Sequence, residues 1–249
     1  MAYNENVEDI IDNKSLFMPK SVQKILAVVA HPDDEIIGVG GTLCKHTSMG
    51  DDVYVLILGD GKSSRNYTYK KLSENLKQKS LNETKKALSC LGIKYFYKES
   101  FPDNRFDGIN MLDIAKKVSF YVNKIKPTIV YTHHFGDLNI DHQRTSEAVT
   151  IACRPIENNS VQTIYQFETL SSTEMAGYIP SRAFLPNVFI NIETEIHKKL
   201  KAMGCYKSEL HQFPHPRSLE AIEANAKVWG AKVNLKYAEA FFCLRQIKL

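Results

Sequence analysis

The segment Ala30-His31-Pro32-Asp33-Asp34-Glu35 brings one imidazole and three carboxylates together within a few residues. That donor set suits a divalent metal. A catalytic zinc takes three nitrogen or oxygen ligands from the protein, at about 2.0 to 2.2 Å, and keeps a further position for water. His31 and Asp34 fit two of those places. The bland alternative is a turn in which Asp33 or Asp34 merely caps the next helix. A third ligand is offered by the run from Tyr131 to His142, YTHHFGDLNIDH, which carries His133, His134 and His142. Any one of these histidines alone is more often structural. His142 opens a helix, so its side chain can project back toward the first loop while Asp141 orients its other ring nitrogen.

For these residues to meet, the elements before them must end at a common edge. Lys24 to Ala30 is a nearly continuous apolar run, as expected of a strand buried on both faces of a parallel sheet. A short helix over 38–49 closed by Gly50, a strand over 52–58, a long amphipathic helix over 69–91 and a strand over 93–97 follow. A helix over 111–125 stops before Pro127, and a fourth strand covers 128–132. Strands alternating with helices predict an α/β layered fold with a mostly parallel sheet, whose right-handed crossovers align the βα loops on the carboxyl edge. Both histidine-bearing loops fall on that edge, where such sheets bind ligands. The last hundred residues are mixed: a helix over 142–153, strands over 163–168 and 187–192, a charged helix over 194–210, and a further helix from near Ser218. They are expected to cap the active edge.

The chain has 249 residues, 43% hydrophobic and 24% charged, enough for one sizeable core. No repeat or linker divides it, so a single domain is expected, with its core over about residues 24–245. The net charge of +4 is spread among interleaved acids and bases, which argues against a nucleic-acid or membrane partner. Cys44, Cys90, Cys153, Cys205 and Cys243 are widely spaced with no CxxC, as expected of buried free thiols in a reducing compartment. No secretory signal or membrane span is read, and a cytoplasmic location follows as the expectation.

Taken together, AHPDDE after the first strand, GGTL in the next helix, PDNRFD at 102–107, THH followed by DLNIDH, and PHPRS at 214–218 resemble the LmbE/PIG-L-like deacetylases. That family includes the de-N-acetylases of mycothiol, bacillithiol and glycosylphosphatidylinositol biosynthesis. The resemblance implies a Rossmann-like three-layer sandwich and zinc held by His31, Asp34 and His142, with Asp33 as the base. The implied reaction is hydrolysis of the acetamide of an N-acetylated sugar, and relatives commonly assemble into homo-oligomers. One position departs from the pattern: Asn139 stands where several members carry a histidine thought to stabilise the tetrahedral intermediate. Asn139 still donates a hydrogen bond but carries no charge, and His215, between Pro214 and Pro216 in a stretch expected to be extended, is a candidate replacement. Arg65, Asp103, Asn104 and Arg105, from other βα loops, are candidates for sugar hydroxyls or an attached phosphate. Two other function classes compete. Nucleotide binding is disfavoured, because Gly38-Val-Gly-Gly41 is not GxGxxG and Gly61-Lys-Ser63 has Leu56 where a P-loop needs glycine. A dead metal or glycan binder is expected to have lost its base, and Asp33 is present.

Overall fold

The computed structural model describes residues 22–61, 74–156, 159–177 and 179–248. One seven-stranded sheet runs through it in the order β3-β2-β1-β4-β5-β7-β6. Strands β1 (Lys24–Val29), β2 (Asp52–Gly59), β3 (Tyr95–Phe101), β4 (Ile129–His133) and β5 (Thr163–Phe167) are mutually parallel. Strands β6 (Val188–Asn191) and β7 (Ala238–Gln246) extend the sheet in antiparallel sense. The final hundred residues therefore lengthen the sheet as well as cover its edge, and β7 is a strand that the sequence reading lacked.

Successive residues of β1 point to opposite faces, and both faces are buried. Ile25, Ala27 and Val29 join one core with Val39, Leu43 and Leu88, from helices α1 (Asp34–Ser48) and α2 (Glu74–Cys90). Leu26, Val28 and Ala30 join the other with Val118, Val122 and Ala148, from α3 (Met111–Ile125) and α4 (Ile140–Ala152). This is the three-layer arrangement expected, and each fully buried aliphatic side chain in it contributes about 1.5 to 3 kcal/mol. α5 (Ile196–Met203) packs on α1 and α2, and α6 (Leu219–Ala231) packs on α5 and β7. α5 is shorter than the helix expected over 194–210, because the chain turns at Gly204 and buries Tyr206.

Two glycines of α1 set how closely it lies on its neighbours. A Cβ at Gly38 would stand 2.1 Å from the Phe167 ring, and one at Gly41 2.9 Å from Ile192. These glycines serve helix packing and not a phosphate loop, which removes the main sequence feature behind a nucleotide-binding reading. Among the described residues no helix is long and apolar enough to cross a membrane.

The sheet order decides where a site can form. β1 has β2 on one side and β4 on the other, so the connections leaving β1 and β4 diverge and open a crevice at their carboxyl ends. His31 follows β1, and the 134–139 loop follows β4.

Candidate metal centre

α1 begins at Asp34, four residues earlier than the sequence pattern implied, because Asp33 turns the chain. Asp33 has φ of 100°, and its carbonyl accepts the N–H groups of Ile36 and Ile37. Its carboxylate makes no capping hydrogen bond, so the bland reading of Asp33 as a side-chain cap does not hold. A non-glycine residue at such φ costs about 1 to 3 kcal/mol and persists only where its surroundings fix it. Here Asp33 N–H donates to Glu35 Oε2 (3.0 Å), and the buried Tyr206 hydroxyl donates to Glu35 Oε1 (2.5 Å). Burial lifts the Glu35 carboxyl to about 7.

His31, Asp34 and His142 are all buried, and one ligand atom from each lies within 4.8 Å of the others. Asp34 Oδ2 is 3.5 Å from His31 Nδ1 and 3.4 Å from His142 Nε2. Asp34 Oδ1 and His142 Nε2 are fully buried without a hydrogen-bond partner. Buried polar atoms are nearly always satisfied, and orphaned atoms on residues grouped this closely fit a metal ion. The same atoms explain why a metal would select His142. His133 Nε2 also stands 3.4 Å from Asp34 Oδ2, but it accepts the Ala30 N–H (2.9 Å), and Nδ1 is engaged with Thr169 Oγ1 (3.0 Å). His134 Nε2 donates to the Arg182 carbonyl (2.9 Å).

The outer contacts differ from expectation in two respects. Asp141, expected to orient His142, sits at the start of α4 and turns toward His31 and the loop after β3. Its carboxylate is 2.9 Å from His31 Nε2 and accepts the N–H groups of Asn104 (2.6 Å) and Phe106 (2.9 Å). His142 Nδ1 instead faces Asp137 Oδ1 at 3.2 Å. Asp137 is fixed in turn by the Ser172 and Thr173 hydroxyls, which donate to it. Sequence reasoning passed over Asp137 although it lies inside the DLNIDH signal. Asp103 is also placed differently: it is buried, with Oδ1 3.1 Å from His31 Nε2, so it is committed to His31 and does not present a free carboxylate to a substrate. Carboxylates only accept, so the proton of His31 sits on Nε2 and Nδ1 is the atom left for a metal.

The charges follow from this packing. Burial opposes ionisation of His142, but Asp34 and Asp137 outweigh it and push its pKa up to about 9. Burial and the neighbouring His142 charge bring His133 down to about 4. Burial also opposes ionisation of Asp34, but the two histidines hold it well below the usual carboxylate range. Asp33 is pushed the other way: burial raises it well above that range, and Arg217 pulls against the rise.

Asn139 caps α4, its Oδ1 accepting the Asp141 N–H (2.8 Å) and its Nδ2 donating to Asn104 Oδ1 (3.1 Å). Asn104 and Arg105 lie exposed on the loop after β3. Arg65 falls outside the described residues. The stretch around His215 is a pair of turns and not extended, since proline fixes φ but leaves ψ free to close them. His215 N–H donates to the Gln212 carbonyl (3.0 Å) and Ser218 N–H to the His215 carbonyl (2.9 Å). His215 stacks on His211 at 3.9 Å between centroids, and its Nδ1 accepts the Arg217 N–H (3.0 Å). From this segment it is Arg217 whose side chain reaches Asp33.

The family model described as PIG-L, GlcNAc-PI de-N-acetylase, matches residues 26–153, which is the half of the chain carrying β1 through α4. The chain belongs to the PIG-L family. Over 207 residues it is 30% identical to the diacetylchitobiose deacetylase of Thermococcus kodakarensis, covering 78% of this chain and 71% of that protein. The N,N'-diacetylchitobiose deacetylase of Pyrococcus horikoshii, solved with its inhibitor MPG, superposes with a TM-score of 0.70 at 23% identity, over 91% of this chain and 85% of that one. A 4-carboxy-2-hydroxymuconate hydratase from Pseudomonas putida superposes with a TM-score of 0.68 at 20% identity, over 92% of this chain and 98% of that one. The PIG-L fold thus hosts unlike chemistries, and the activity has to be argued from the site.

Proposed function

We propose that this chain is a zinc-dependent N-deacetylase that hydrolyses the acetamide of an N-acetylated amino sugar or its conjugate. The observation that carries the proposal is the convergence of His31 Nδ1, Asp34 and His142 Nε2, two of them bearing orphaned buried atoms, next to an Asp33 carboxylate that is not one of the three ligands. A metal held by those residues supplies Lewis acidity, lowering the pKa of water from 15.7 toward about 7 and polarising the acyl oxygen. The protein does the rest. Asp33 takes one proton of the attacking water and delivers it to the departing nitrogen as the C–N bond breaks, so that a primary amine and acetic acid form and the acid's proton passes to the amine or to solvent, leaving acetate. Burial keeps the Asp33 carboxyl basic enough to accept that proton.

Asp141 and Asp103 hold His31, and Asp137 holds His142, so the ligand rings are aimed before any metal arrives. Asn104, Arg105 and Arg65 are assigned to the sugar. Asn139 and His215 are assigned as donors to the developing oxyanion. Because His215 Nδ1 accepts a hydrogen bond, its proton lies on Nε2, the nitrogen that can donate. We read the chain as one deacetylase domain, a reading supported by the single sheet running from β3 to β6. Asp33 separates this proposal from a dead metal or glycan binder. Metal analysis of the purified protein, paired with primary-amine detection on N-acetylglucosamine, N,N'-diacetylchitobiose and N-acetylglucosaminyl conjugates, tests it. Stoichiometric zinc with amine release supports it; metal-loaded protein that acts on none of them counts against it.

A further inference from the structure

We infer that Arg217 is the positioning residue of the general base, holding the Asp33 carboxylate from the far end of the chain. The inference rests on the deacetylase reading and adds a residue to it. Nothing local aims the Asp33 side chain, since the residue sits at φ 100° and makes no capping bond to α1. The carboxylate is 1% exposed and lies among Asp34, Glu35 and Glu209, all acids. Arg217 supplies a cation there: its Nη1 stands 3.3 Å from Asp33 Oδ2, 184 positions away in sequence.

The guanidinium is itself aimed. Its Nε donates to Ser171 Oγ (2.8 Å), and Nη1 is 3.5 Å from the buried Glu209 Oε2. Ser171 occupies a turn closed by its own N–H donating to Glu174 Oε1 (2.6 Å). The Arg217 backbone is pinned on both sides, its N–H on His215 Nδ1 and its carbonyl on the His211 N–H (3.3 Å). Three separate segments, 171–174, 209–217 and the β1–α1 turn, thus meet on one planar fork. Arginine suits this role because its fixed donors can serve Ser171 and Asp33 at once, which a lysine ammonium on a flexible stem cannot. The Arg217 side chain is 24% exposed, whereas the carboxylate it holds is buried.

A carboxylate displaced by about 1 Å from its working geometry loses about 10²-fold in rate. The test is steady-state kinetics of Arg217→Ala and Arg217→Lys on whichever N-acetyl amino sugar the wild type turns over fastest. Zinc content and melting temperature are measured on the same samples, and guanidinium chloride is added at non-denaturing concentration. Arg217→Ala is expected to lose about 10²-fold in kcat with KM and zinc content near wild type, and to recover part of kcat with guanidinium. Arg217→Lys is expected to fall in between, and it serves as the test if the alanine protein does not fold. Wild-type kcat in either variant overturns the inference alone. So does a change confined to KM, or a kcat loss accompanied by zinc loss that guanidinium leaves unrescued, which marks a merely structural residue. Zinc-loaded wild type that releases no amine overturns the deacetylase reading and this inference with it.

Discussion

Replacing Asp33 with asparagine separates catalysis from structure. Asparagine keeps the shape of the side chain and tolerates positive φ, so the turn into α1 at φ 100° is preserved. The Asp33 carboxylate is not among the ligand atoms of His31, Asp34 and His142, so zinc binding should survive. The loss is the proton acceptor, worth about 10² to 10⁴ in rate, or about 2.7 to 5.5 kcal/mol of transition-state stabilisation. Stability should move the other way or not at all. Asp33 is 1% exposed and burial disfavours its charge. A folded-state pKa above the unfolded one means that the ionised form weakens the fold at neutral pH, and the neutral amide removes that cost. The expected signature is a kcat reduced by about 10² to 10⁴, unchanged zinc by atomic absorption, and a melting temperature equal to or above wild type by scanning fluorimetry. Full zinc with near-normal kcat would refute the role of Asp33. Zinc lost together with activity would show that Asp33 is itself a ligand.

His142→Ala, His31→Ala and Asp34→Ala should each lose stoichiometric zinc, whereas His133→Gln should keep it, because the glutamine oxygen can accept the Ala30 N–H in place of Nε2; tight zinc in the His142 variant would move the third ligand to another histidine. Asp137→Asn should weaken zinc binding by about 10- to 100-fold in a competition titration, since it faces His142 Nδ1, and an unchanged constant would leave Asp137 a purely structural residue. Metal loading requires His142 without its second proton, and its pKa is pushed up to about 9. The apparent zinc affinity should therefore fall by at least about tenfold per pH unit on acidification below that value, and a flat profile would show that His142 does not ligate. His215→Ala should lower kcat by about 10² to 10³ with zinc unchanged if it donates to the oxyanion; a rise in KM alone would make it a substrate contact, and wild-type constants a turn residue.

The sheet and the convergence of His31, Asp34 and His142 were legible because they rest on strong local signals. KILAVVA is an uninterrupted buried run, and His31, Asp34 and His142 fall at the ends of strands, where α/β topology must bring them together. What escaped depends on tertiary partners. β7 was missed because Glu239 and Arg245 interrupt its apolar pattern, and only the structure shows Glu239 buried against Lys199 Nζ (2.6 Å) and the N–H groups of Gly41 and Thr42. The division of labour between Asp137 and Asp141 turns on the direction in which α4 starts, since both lie within a few residues of His142 and sequence spacing does not say which ring each one faces. Arg217 shares the PHPRS segment with His215, and an arginine 184 positions from Asp33 shows no sequence sign of a buried carboxylate waiting for it.

The central claim, that His31, Asp34 and His142 hold zinc beside an uncoordinated Asp33, is tested most directly by crystal diffraction recorded just above and just below the zinc absorption edge. A single anomalous peak contacted by His31 Nδ1, an Asp34 oxygen and His142 Nε2, at about 2.0 to 2.2 Å, is the predicted result, with both Asp33 oxygens outside bonding distance. A peak bound through His133, or through His31 Nε2 with Asp103 and Asp141, would contradict the account, as would an active crystal with no peak at all.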